Sequence, residues 1–209
     1  MVTMSQLEAT ITDGAIEKIT NLIAAKLRDI HLPSAQVQGA IDSQGDEIAQ
    51  EFVDMFRAHV EANCDMIVRR VKVNRARTPK EALDATHWME SSIDDDVAAT
   101  MPKYGEEVVE VYFFRVPHHN ISEEEIKEAY AFRGLIPDPF AQAAVNEADP
   151  DFDDEHLNAT FWEDPSGNWC YLTFNNYIGR RHVNVYSSSY RSRGLDANWW
   201  LAGVPAPKA

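Results

Sequence analysis

The sequence predicts an α+β protein: a helical N-terminal region, a mixed α/β segment after it, and a compact antiparallel β region at the end. Three observations carry this. Apolar residues recur at helical spacing from Asp13 to about Arg70, two Ser/Thr-x-x-Glu signatures announce helix starts further on, and beyond His156 the chain turns into short strands separated by turn residues.

In order, "DGAIEKITNLIAAKLRDI" places Ile16, Ile19, Ile23, Leu27 and Ile30 three and four residues apart, with Asp13 as the expected N-cap. Pro33 ends this helix and Ser34 caps the next. Gly45 interrupts it before Ile48, Phe52, Met55, Phe56, His59 and Ile67 continue the periodicity to about Arg70. A short strand is expected at "VKVNRA". In "TPKEAL", Thr78, Pro79 and Glu81 form a capping box with proline at the first helical position. "SSIDDDVAATMP" supplies a turn of helix ended by Pro102, and "EEVVEVYFFRV" is the strongest strand, expected to be central. Ser122 and Glu125 form a second capping box, with Gly134 at the end of that helix. Asp138 and Pro139 open another. "ATFW", "NWCYLTF", "RHVNVYS" and "NWWLAGV" read as strands, the first two joined by the turn "EDPSGN".

Composition excludes several function classes. No apolar run approaches the roughly 20 residues that cross a bilayer, and the N-terminus lacks a basic segment followed by an apolar one, so a cytoplasmic protein without a membrane span is expected. Cys64 and Cys170 have no CxxC partner and are expected to be free, mostly buried thiols. Charge is uneven. Residues 1–164 hold 14 Lys/Arg against 33 Asp/Glu, whereas residues 165–209 hold five against Asp196 alone. So acidic a body repels nucleic acid at long range and argues against general nucleic-acid binding.

No constellation specifies catalysis or a metal. In "DPDFDDEH", Asp149, Asp151 and Asp153 alternate as in a calcium loop, but Asp154 stands where the turn needs Gly and Thr160 where the bidentate Glu belongs, so a solvated loop is expected. His118 and His119 follow a strand without an HxxxH or HExxH partner. With His156 they define a rival reading as a metal-dependent enzyme. Cys170, between Trp169 and Tyr171, reads as a small core residue rather than a nucleophile. No catalytic residue, cofactor or metal is therefore expected.

The tail is the informative segment. Asn175, Asn176, Tyr177, Arg181, Asn184, Tyr186, Ser188, Tyr190, Ser192, Asp196 and Asn198 combine rigid aromatic contact area with adaptable hydrogen-bonding groups, the chemistry of antibody-like paratopes. They are the expected ligand-binding residues, with a macromolecule, a protein in the first instance, as the expected partner. Residues 13–70 are the expected route to a homo-oligomer. In a structural or assembly reading, these helices would do the work and the acidic body would meet a neighbour's basic tail.

The blocks "RGLIPDPFAQAAVNEADPDFDDEH", "TFWEDPSGNWCY" and "NWWLAGV" resemble a group of uncharacterised bacterial proteins common in candidate-phyla genomes. Their framework in turn resembles the variable proteins targeted by diversity-generating retroelements. The resemblance covers about residues 65–205 and is strongest from Arg133 onward. It implies a C-type-lectin-like domain over residues 71–209, following a helical element over residues 1–70. It further implies a diversified face at about residues 175–198 that binds ligands and does not catalyse. Trp162, Gly167, Trp169, Cys170, Trp199, Trp200, Ala202 and Gly203 match the framework and are the implied scaffold.

Overall fold

The computed structural model describes residues 11–62, 64–116, 118–187 and 198–207. The chain divides into two compact units, residues 1–64 and 65–209. In the first, α1 spans Asp13–Asp29 and α2 spans Ser34–Ala62. Thr12, not Asp13, caps α1: its hydroxyl accepts the Ala15 N–H at 3.3 Å, which leaves Asp13 in the first turn, where a carboxylate suits the helix dipole. Next to Gly45, α2 bends at Gln44, whose φ of −139° is not helical. Cys64, expected to be buried, is exposed.

The helical pattern expected to reach Arg70 stops at Ala62. "MIVRRVK" instead forms β1, Met66–Lys72, in which Ile67 and Val71 point into the core and the whole strand pairs antiparallel with β3, Val108–Arg115. Branched residues on alternate positions beside a ready partner strand favour the extended form over a further helical turn. The second unit therefore begins at Asp65 rather than at residue 71.

Its helices start where the local chemistry places them. The capping boxes at Thr78/Glu81 and Ser122/Glu125 open α3, Pro79–Asp84, and α5, Glu123–Phe132. Asp94 caps the short α4, Asp95–Ala98, and Asp138 caps α6, Pro139–Ala148, by accepting the Ala141 N–H at 3.0 Å. Gly134, at φ 63°, turns the chain from α5 into the two-residue β4, Leu135–Ile136. "DPDFDDEH" is not a solvated loop: Phe152–Glu155 form α7, with Phe152 and Asp153 buried.

The remaining strands are β2 (Glu90–Ile93), β5 (Asn158–Glu163), β6 (Trp169–Tyr177), β7 (Arg180–Ser187) and β8 (Trp200–Pro205). All join one mixed sheet, in the order β1-β3-β8-β5-β6-β7-β2, with β4 also paired to β8. The expected separate antiparallel region is thereby corrected. β5 runs parallel to β8, β2 runs parallel to β7, and strands from before and after the helices share hydrogen bonds. β3 is interior, as its composition requires, between β1 and β8.

Alternation divides the sheet into two faces. On one, Val111, Phe113, Trp200, Ala202, Leu172, Phe174, Val183 and Val185 meet Ala82, Leu83, Phe140, Val145 and Phe152 from the helices. On the other, Phe114 packs edge-on against Tyr130 of α5 at 5.3 Å, and the Tyr130 hydroxyl donates to the Ala202 carbonyl at 2.7 Å. That second face carries the candidate site.

Candidate functional site

The site grows from the β6–β7 hairpin. Leu172 pairs with Val185 and Phe174 with Val183, and these four point into the core. The pairs between them, Tyr171 with Tyr186, Thr173 with Asn184 and Asn175 with His182, must therefore stand on the opposite face. β2 continues it, with Ser92 beside Asn184 and Glu90 beside His182. The result is a rung-like array of phenols, amides, hydroxyls and an imidazole.

Its members are held by one another. Asn184 Nδ2 lies 3.2 Å from Thr173 Oγ1 and 3.4 Å from Asn175 Oδ1. The Tyr171 and Tyr186 rings are 6.0 Å apart, and Tyr177 meets His182 edge-on at 6.3 Å. His182 Nδ1 is 3.7 Å from Glu90 Oε2, while the buried Nε2 has no hydrogen-bond partner among the described residues. Arg180 binds the same Glu90, and that hydrogen bond holds the carboxyl below the usual carboxylate range. Tyr171 and Thr173 are buried, Asn175, His182, Asn184 and Tyr186 are half-buried, and the array opens toward the hairpin tip.

The tip carries the most exposed large apolar side chain among the described residues of this unit. Ile178 and Gly179 form a two-residue loop with φ of 54° and 71°, both left-handed. That is the pattern of a type I′ hairpin turn, which ordinarily takes Asn or Gly at its first position. A β-branched residue there is strained by its own Cβ. Ile178 is 82% exposed and its neighbour Tyr177 is 64% exposed, so no packing offsets the strain.

The expected ligand-binding residues divide. Asn175, Tyr177, Asn184 and Tyr186 share the array, and Asn198 is exposed just before β8. Arg181 is a correction. It falls on the core side with the two valines, where its guanidinium donates to Asp153 Oδ1 at 2.9 Å, the Thr86 carbonyl at 2.7 Å and the Asn146 carbonyl at 3.1 Å. Asn176 shares that side and donates to Asp154 of α7. Both tie α7 to the sheet rather than facing a ligand. Burial pushes the Asp153 carboxyl up against the opposing pull of Arg181. Ser188, Tyr190, Ser192 and Asp196 lie outside the described residues. Ile178, His182, Thr173 and Glu90 were missed, although the two-residue spacing from Val183 and Val185 singles out His182 and the loop between the two strands singles out Ile178.

The scaffold residues hold structural positions. Trp162 is buried and its Nε1 donates to Thr100 Oγ1 at 3.0 Å. Gly167, at φ 83°, closes the β5–β6 turn, whose Asp164 accepts the Ser166 and Asn168 N–H groups at 2.8 Å. Trp169 is half-buried at the start of β6. Cys170 is buried and its thiol is pushed up by that burial, an inert setting for a nucleophile. Trp199 offers its carbonyl to the Val116 N–H at 3.0 Å, and the Trp200 ring meets the Arg115 guanidinium at 4.6 Å and His156 edge-on at 5.4 Å. At Gly203 a Cβ would come within 2.8 Å of the Tyr130 ring and 3.1 Å of the Ile136 carbonyl.

The histidines of the rival reading hold other positions. His118 bridges the His119 carbonyl and Glu125 of the α5 capping box, which raises its pKa, and His156 packs between Phe152 and Trp200. Among the described residues no group of three or more His, Cys, Asp or Glu side chains is disposed to hold a metal ion, and no helix is long and apolar enough to cross a membrane. Comparison with protein families, with curated proteins and with solved structures gives no match.

Proposed function

We infer that the chain is a non-enzymatic binding protein whose β6–β7 face and tip recognise a protein ligand. The observation that carries this reading is the tip itself. Tyr177 and the strained Ile178 extend an ordered polar array into solvent, where their exposure contributes nothing to the core. Backbone strain without compensating burial marks positions kept for contact. Behind the tip, the half-buried Asn175 and Asn184 supply hydrogen-bonding groups that a polar partner surface can meet.

The finer reading is a variable protein of a diversity-generating retroelement on a C-type-lectin-like scaffold. It is supported by the division of labour between the matching framework residues, which sit in tight packing or turns, and the segment between them, which contributes the exposed hairpin. Sequencing the locus for a reverse transcriptase and a near-identical second copy of the codons for residues 165–209, differing mainly at adenines, tests that origin.

Binding is tested by cross-linked capture from source-cell extract with wild type and Tyr177→Ala. A hot-spot anchor costs about 2 kcal/mol when truncated, roughly a 30-fold loss of affinity, while an exposed position changes stability by no more than about 0.5 kcal/mol. Capture lost at unchanged melting temperature supports the reading. Equal capture by both proteins, or a large fall in melting temperature, refutes it.

A further inference from the structure

The sheet ends on two edge strands, β1 and β2, and β1 is the longer, at seven residues against four. The backbone bonds that flank its pairing with β3 fix which groups face outward. The Arg115 N–H donates to the Asp65 carbonyl directly opposite it at 3.3 Å, and the Val73 N–H donates to the Glu107 carbonyl opposite it at 2.6 Å. Antiparallel pairs alternate, so Ile67, Arg69 and Val71 also direct their backbone groups to β3, while Met66, Val68, Arg70 and Lys72 direct theirs away from the sheet. Among the described residues one of these outward groups is taken up: the Val68 carbonyl accepts Arg69 Nη1 at 3.3 Å. The rest form a row to which another strand can add.

A groove of about 720 Å³ runs beside the C-terminal half of this row, between β1 and α6. Its wall includes the consecutive residues Val71 to Asn74, so the backbone of the strand lines it and not one face alone. From α6 come Ala144 and Ala148, one turn apart, whose methyl groups leave the space open. An extended segment laid along β1 would have the strand on one side and the helix above, with alternate side chains directed at Val71 and the two alanines.

The rungs of β1 indicate the chemistry of such a segment. Residues 66–72 hold Arg69, Arg70 and Lys72 and no acid, with Asp65 and Glu107 at the two ends of the pairing. Arg69 lies on the core face, 5.1 Å from the Phe152 ring and 3.9 Å from Asp149. Arg70 and Lys72 are exposed on the opposite face, two residues apart. Arg70 has Glu110 across from it on β3, a carboxylate that already accepts the Tyr112 hydroxyl at 3.0 Å, and Lys72 has Val108. A second copy of β1 would bring the same three cations against these, and like charges on facing strands destabilise the pairing. An acidic strand meets two cations instead. The chain's net charge of −15 opposes this at long range, but beyond about 8 Å charges are screened at physiological ionic strength, so the neighbouring rungs decide the pairing.

We propose that the outer edge of β1 is a docking site for an extended acidic segment of another protein. The segment adds as a further strand, with acidic residues at alternate positions beside Arg70 and Lys72 and small apolar ones over Val71 and the α6 alanines. In the strand order β1 stands at the opposite end of the sheet from β7 and β2, so the site is separate from the β6–β7 face and does not rest on the function inferred above.

The test is a titration of the full ¹⁵N-labelled chain with an eight-residue N-acetylated peptide amide that alternates valine and glutamate, read by amide NMR. The control peptide carries lysine in place of glutamate. The amides of Met66, Val68, Arg70 and Lys72 are expected to shift and to gain protection from hydrogen exchange with the glutamate peptide, while those of β6 and β7 stay in place. Arg70→Glu/Lys72→Glu is expected to weaken that peptide by about tenfold and to admit the lysine peptide, since two cross-strand pairs change sign. Val68→Pro removes an outward N–H without removing a bond to β3, and is expected to abolish binding of the glutamate peptide. The charge variant, on exposed side chains, carries the test if the proline perturbs the strand. No shift at millimolar glutamate peptide overturns the proposal and leaves the cations as a guard against strand pairing. Equal binding of the two peptides, or shifts confined to other strands, also overturns it. Shifts along β1 that grow with protein concentration alone would assign the edge to a second copy and overturn it as well.

Discussion

Replacing Ile178 by Asn should make the protein more stable and its hairpin a poorer binder. The two-residue loop Ile178-Gly179 has left-handed φ at both positions, and the side chain of Ile178 is 82% exposed, so the substitution removes almost no buried contact. A residue with a Cβ in this region loses about 1–2 kcal/mol, and Asn loses less because its short amide bonds locally to the backbone. A gain of about 1 kcal/mol is expected. For a unit the size of residues 65–209, this raises the melting temperature by about 3 °C. Differential scanning calorimetry of wild type and Ile178→Asn at one concentration reads it directly. On the proposed function, the paired expectation is weaker capture of a protein ligand, since an apolar knob becomes polar. An unchanged or lower melting temperature would mean that the loop is not a type I′ turn or that Ile178 is packed, and the argument from strain would fail.

Two other expectations concern the scaffold. Arg181→Met leaves the carboxylate of Asp153, whose side chain is wholly buried, without its cation, and breaking such a pair costs about 3–5 kcal/mol; urea denaturation should show it, and Asp153→Asn/Arg181→Met should recover part of the loss. Acid should destabilise the protein through its helix caps. Hydrogen bonds from Thr78 and Ser122 hold Glu81 and Glu125 below their ordinary 4.5, so their stabilisation is full above that pH and is lost as the pH falls through the lowered values. His118 acts oppositely: its pKa is raised above 6.5, so its contribution is present below that value and fades as the pH rises past the raised one. Glu81→Gln should reduce the acid limb of a stability–pH profile while leaving the His118 limb in place, whereas Glu125→Gln should weaken both limbs, because Glu125 is also the partner of His118.

The legible parts of the fold were those written within a few residues. Both capping boxes, the Asp138 cap, Gly134 and the "EDPSGN" turn act through hydrogen bonds three or four positions away, and each stands where the pattern put it. What failed depends on distant partners. "MIVRRVK" continues a helical period by itself and becomes a strand because Val108–Arg115 offers it hydrogen bonds. The acidic run at Asp149–Glu155 reads as a loop until Arg181, from another strand, supplies the cation for Asp153. The site divided along the same line. Tyr177, Asn184 and Tyr186, which composition grouped, share one face, but composition placed Arg181 among them because it ignores which way a strand residue points. Val183 and Val185 held that information: if they face the core, so does Arg181, and His182 does not.

This arrangement separates the part of the sheet that cannot change from the part that can. β8 lies between β3 and β5, with β4 paired to it as well, so every residue from Trp200 to Gly203 meets neighbours in the sheet and above or below it. At Gly203 even a methyl group collides with the Tyr130 ring and a backbone carbonyl, and Ala202 gives its carbonyl to both Tyr130 and Thr160. The β6–β7 hairpin differs at its free end. Its inward residues are anchored by Leu172, Phe174, Val183 and Val185, while a side chain on the opposite face meets other side chains of the same array, and at the tip it meets solvent. A sequence can therefore vary at Asn175, Tyr177, Ile178 and Asn184 without disturbing the strands that carry them. That is the physical condition for a surface whose ligand is set by side chains and whose shape is set by the frame.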